Sequence, residues 1–116
     1  MATLKEISEK LNIKPVSSFQ FMGRTITRGY ASDLLSWVLR NAKRDSIWVT
    51  LQCHQNIVAV SSMAGLAGII ITEGNNPDQE MLTRADKEGV VLMVTSKTTF
   101  TVVSELASLG IRGDKG

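Results

Sequence analysis

Apolar positions along the chain fall into two patterns, a helical spacing of three and four and short continuous runs, and their boundaries predict the elements. Residues 3–12 read as a helix, because Leu4, Ile7 and Leu11 share a face and Thr3 with Glu6 has capping-box spacing. Pro15 follows where a helix has ended. Residues 16–28 carry the β-prone Phe19, Phe21, Thr25, Ile26 and Thr27, broken at Gly23, and predict one or two short strands. Ser32 then reads as an N-cap with Asp33 in the first turn, and Leu34, Leu35, Val38, Leu39 and Ala42 form the apolar stripe of a second helix.

Residues 46–52 (SIWVTLQ) predict a strand, and residues 56–66 a helix apolar nearly all round and therefore well buried. Residues 68–72 (GIIIT) form the unbroken apolar run of a central strand covered on both faces. Asn75 and Asn76 make a turn. Pro77 then opens a helix with Asp78 and Glu80 in its first turn, continuing through Met81, Leu82 and Ala85 to Gly89. Residues 90–94 predict another buried strand. Thr98 or Thr99 opens a last helix bearing Phe100, Val102, Val103, Leu106 and Leu109, which Gly110 ends, leaving residues 112–116 expected to fray.

Strand and helix thus alternate three times from residue 46, the signature of an α/β domain with parallel pairing. No linker, repeat or low-complexity tract divides residues 1–116, so a single domain is expected. With 43% hydrophobic residues in 116, the chain can bury a core without metal or disulfide. The net charge of +2 comes from basic residues scattered among acids, which argues against a nucleic-acid partner. The lone Cys53 forms no internal disulfide and suits a reducing compartment. The apolar runs are too short to cross a bilayer and the N-terminus lacks a secretory layout, so a cytoplasmic protein without a membrane partner is expected.

The chain presents no catalytic constellation. A phosphate loop requires two glycines before its Lys-Ser/Thr, but Val91 and Ser96 stand at those positions ahead of Lys97. His54 is the single histidine, and its neighbour Cys53 would point to the opposite face of an extended segment, which disfavours a metal site or a Cys–His pair. No GxSxG elbow occurs. No metal, cofactor or catalytic residue is therefore expected.

Polar residues collect instead just after each buried strand: Gln52, His54 and Gln55; Thr72, Glu73 and Gly74; Thr95, Ser96 and Thr98. Ligands of open α/β sheets bind at the strands' carboxyl ends, which makes these the candidate site for a nucleotide or phosphorylated metabolite. Phe19, Phe21, Met22, Tyr30 and Trp37 are candidates for an interface, since aromatic and Met side chains favour interface cores.

From about residue 19 to 111 the sequence resembles the DRTGG domain family, whose pattern is an Asp-Arg pair heading a helix, an apolar strand ending in Thr-Gly-Gly, then a proline and a further helix. Here His54-Gln55 stand at the first element and Thr72-Glu73-Gly74 at the second, followed by Pro77, so the Asp-Arg pair and one glycine are replaced. The resemblance implies a three-layer α/β fold with a mostly parallel, mixed sheet, similar to the N-terminal domains of HPr kinase and of Mur ligases. It also implies an accessory or regulatory module, with homodimerisation as in certain pyrophosphatases. Kinase activity is not expected without a phosphate loop. The expected function is a non-catalytic regulatory or interaction domain, a homodimer serving a protein partner. The alternative is a small-molecule sensor.

Overall fold

The computed structural model describes residues 2–113. Five strands form one mixed sheet: β1 (Lys14–Pro15), β2 (Arg28–Ala31), β3 (Ser46–Thr50), β4 (Gly68–Ile71) and β5 (Leu92–Val94). Their order is β1-β5-β4-β3-β2, with β2 to β5 mutually parallel and β1 antiparallel to β5. Helices α1 (Leu4–Leu11) and α5 (Thr99–Ser108) cover one face, and α2 (Leu35–Asn41), α3 (Asn56–Ala64) and α4 (Gln79–Glu88) cover the other. This is the expected three-layer α/β architecture.

Period-two alternation assigns each strand side chain to one of two cores. Ile47, Val49, Ile70 and Met93 pack with Leu4, Ile7, Val102 and Leu106 on the α1/α5 face. Trp48, Ile69, Ile71 and Leu92 pack with Val38, Ile57, Val58 and Met81 on the other. Every residue of β3 and β4 is buried, which is why Ile47–Val49 and Ile69–Ile71 at their centres are apolar without a break. Thr3 and Glu6 close the expected capping box on α1 and Thr98 caps α5 by accepting from Thr101 N–H, but α4 opens at Gln79 rather than at Pro77, with Asp78 as its N-cap, accepting from Met81 N–H, instead of in its first turn.

The N-terminal third departs from expectation. Residues 16–28 hold no strand before Arg28; they contain a 3-10 turn at Phe19–Phe21, and the strand runs over Arg28–Ala31 instead. The β-prone side chains there compete with backbone groups already committed elsewhere: Ser17 Oγ donates to Val90 O and accepts from Leu92 N–H, both at 2.8 Å, and Ser18 N–H donates to Asp86 Oδ1. Tyr30 consequently lies in β2, and the helix after it opens at Leu35 rather than at a Ser32 cap. Ser32 Oγ instead accepts the Leu34 N–H at 3.2 Å in a local turn. Pro15, expected merely to follow α1, lies in β1. α3 leaves Met63 72% exposed, so it is buried along one side only. Within the expected tail, Arg112 O accepts from Gly29 N–H, and residues 114–116 lie outside the described residues.

Candidate functional site

Because β2, β3, β4 and β5 run parallel, their carboxyl ends open on one edge of the sheet, and the loops that follow them meet there. The loop after β4 is the most tightly built. Thr72 is buried, and its Oγ1 lies 2.6 Å from Thr99 Oγ1 and donates to Thr50 O at 3.4 Å. Glu73 and Gly74 take positive φ values of 65° and 80°, which turn the chain sharply out of the strand. The turn directs Glu73 N–H to Lys97 O (2.9 Å) and Gly74 N–H to Thr95 O (3.1 Å), tying this loop to the one after β5.

The Glu73 carboxylate accepts the Thr99 N–H at 2.9 Å. An acidic group therefore already occupies the positive N-terminus of α5. Thr95 Oγ1 accepts from Lys97 N–H, and Thr98 caps the helix through Thr101. Ser96 is exposed. The Lys97 ammonium is turned away from these loops, donating to Leu11 O (2.6 Å) and pairing with Glu105 (2.9 Å). It holds the end of α1 to α5.

After β3, Gln52 N–H donates to Thr50 Oγ1, and its amide donates to Asp33 O at 3.3 Å. His54 is exposed, with Nδ1 accepting the Asn56 N–H at 3.2 Å, so in the neutral ring Nε2 carries the proton. Cys53 beside it packs against the α2–α4 core; burial, and secondarily the nearby Asp78 carboxylate, push its thiol pKa up. Gln55 lines a different place, an open groove of about 770 Å³ along α4 with Gln79, Glu80, Thr83 and Arg84.

The fold thus brings together Thr72, Glu73, Gly74 and Thr95, while Thr98 bonds within the first turn of α5, His54 within its own turn, and Gln55 lines the groove along α4. It also recruits residues not singled out from sequence. Asp33 Oδ1 accepts from Thr50 Oγ1 (2.8 Å) and Leu51 N–H (2.9 Å), and Asn75 Nδ2 donates to Leu51 O. The sequence pattern puts Asp33 in the first turn of a helix, but α2 opens only at Leu35. With β2 ending at Ala31, Asp33 falls on the carboxyl edge. Among the described residues no group of three or more His, Cys, Asp or Glu is placed to hold a metal ion.

Of the aromatic and Met candidates, Phe19, Phe21 and Trp37 are exposed, Trp37 with the Arg40 guanidinium 5.4 Å from its ring centre. Met22 and Tyr30 are half-buried against the two cores.

The sequence matches the DRTGG domain family over residues 32–109, which include the loops just described at the carboxyl edge. The chain belongs to the DRTGG domain family. The domain is also similar in structure to the CBS and DRTGG domains of the regulatory region of Clostridium perfringens pyrophosphatase, a structure complexed with its activator diadenosine tetraphosphate. That match has a TM-score of 0.69 at 17% identity and covers 88% of this chain. It spans only 44% of the other chain, so the DRTGG domain here corresponds to less than half of that region. A search of the curated proteins found no match. No helix among the described residues is long and apolar enough to cross a membrane.

Proposed function

We propose that this DRTGG domain is a non-catalytic regulatory or interaction module, acting as a homodimer in the service of a metabolic enzyme or signalling partner. The observation that carries the reading is the family match, together with a fold shared with part of an enzyme's regulatory region. The chemistry of the carboxyl edge supports it. Thr72, Glu73, Thr95 and Thr98 bond to one another or to neighbouring backbone, and the exposed charges there are the carboxylates of Asp33, Glu73 and Asp78. Phosphate groups would meet like charge, with Lys97 paired elsewhere. Phe19, Phe21 and Trp37 supply exposed aromatic surface of the kind that forms interface cores.

A sensor for a nucleotide or phosphorylated metabolite is the second reading, favoured by the nucleotide activator in the pyrophosphatase structure. A thermal-shift series with diadenosine tetraphosphate, ATP and sugar phosphates separates the two, because a ligand of the folded state alone raises its melting temperature. The interaction reading expects no shift. A rise that Thr72→Val or Glu73→Ala abolishes would establish the sensor in its place. Monomer mass in light scattering from micromolar to millimolar concentration would refute the homodimer.

A further inference from the structure

Both edges of the sheet present backbone groups to other chains, and the two are protected differently. β1 is two residues long, carries the charge of Lys14 and ends in Pro15, which has no N–H to offer. Such an edge resists strand addition by itself. β2 has four residues and no proline, and among the described residues its strand partner is β3. Ser32 N–H donates inward to Val49 O, whereas Gly29 N–H points away from β3 and donates to Arg112 O at 2.9 Å. Strand alternation places the Ala31 N–H on the same outward side as Gly29.

The segment that supplies Arg112 is held from both directions. Gly110, at φ 89°, turns the chain back from the end of α5, and Ile111 N–H donates to Leu106 O. Ile111 is buried in the α1/α5 core. The fit over β2 is close: a Cβ on Gly29 would lie 3.3 Å from Ile111 Cγ2. Beyond this contact, Tyr30, Val49, Val103, Leu106 and Ile111 line an open groove of about 550 Å³ between β2 and α5. An added strand would cover this apolar groove as it paired with β2.

We infer that residues 111–113 are a strap that guards the β2 edge, holding it closed against strand addition by a second copy of this chain. This goes beyond the proposed function, because it concerns a surface apart from Phe19, Phe21 and Trp37 and does not depend on the parent's own mass. Among the described residues the strap is seated by the Gly29–Arg112 and Ile111–Leu106 backbone hydrogen bonds and the buried Ile111 side chain, so a competing strand can displace it without unfolding the sheet.

The test compares weight-average mass by light scattering for the parent, Gly29→Ala, Ile111→Ser and each of these combined with Ala31→Pro. The two single variants are expected to raise the mass about two-fold over the parent at equal concentration, as one edge pairs with another. Ala31→Pro, by removing the outward N–H, is expected to return it to the parent's value. Parent mass in both folded single variants, or a rise that Ala31→Pro leaves intact, would overturn the inference. Hydrogen exchange on the unaltered chain tests it without any variant: Gly29 N–H should exchange at least about ten-fold more slowly than Ala31 N–H. Equal exchange at the two amides would likewise overturn it.

Discussion

At the scale of single residues, Glu73 sets two effects against each other. Its φ of 65° costs a side-chain-bearing residue about 1 kcal/mol, while its carboxylate on the Thr99 N–H adds about 0.3–1 kcal/mol at the α5 N-terminus. Glu73→Ala keeps the strain and loses the cap, so urea unfolding should show a loss of about 0.5–1 kcal/mol. Glu73→Gly loses the cap but also the strain, and should unfold within about 0.5 kcal/mol of the parent. A glycine variant less stable than the alanine variant would contradict this account. Cys53 makes a prediction about pH. Burial and Asp78 raise its pKa in the folded state, so the folded chain holds the thiol proton where the unfolded chain has released it. Its contribution is complete below the ordinary thiol value of about 8.5 and is lost as pH rises through the raised value. Unfolding of the parent above that pH should therefore lose stability more steeply than unfolding of Cys53→Ser.

At the scale of elements, the segment between α1 and β2 shows how a serine takes over work usually done by a strand backbone. Ser17 Oγ satisfies Val90 O and Leu92 N–H where β1 has ended. Ser17→Ala leaves a buried donor and acceptor without this partner, and should cost about 2–3 kcal/mol in chemical unfolding. An effect under 1 kcal/mol (about the value of one ordinary exposed bond) would show that water replaces the hydroxyl. The same segment explains the misplaced strand. Phe19, Phe21, Thr25 and Ile26 have β propensity, but the neighbours in the sheet belong to residues 28–31, whose partner is β3. Helix caps depend less on such distant neighbours. Thr3 with Glu6, Asp78 and Thr98 form caps with groups within three residues of themselves.

At the scale of the whole molecule, the two cores meet across β3 and β4, the strands buried along their full length. Native-state hydrogen exchange should therefore find its slowest amides in these strands, with α2, whose single fully buried side chain is Val38, opening earlier. Slower exchange in α2 than in β4 would contradict that order. The carboxyl edge is likewise a property of the whole. Thr72 and Thr99 are 27 positions apart and their hydroxyls meet at 2.6 Å, while Asp33 reaches Thr50 and Leu51 only because β2 lies beside β3.

By itself, the sequence determined the α/β class, the central strands, the caps of α1 and α5 and the edge on which polar loops gather. Each depends on periodicity or on contacts only a few residues apart. The tertiary structure alone decided that β2 runs over Arg28–Ala31, that Asp33 belongs to the carboxyl edge, that Glu73 closes α5, and that residues 111–113 cross β2. These depend on which strand lies beside which, and a backbone donor pairs with its nearest acceptor in space wherever that acceptor stands in the chain.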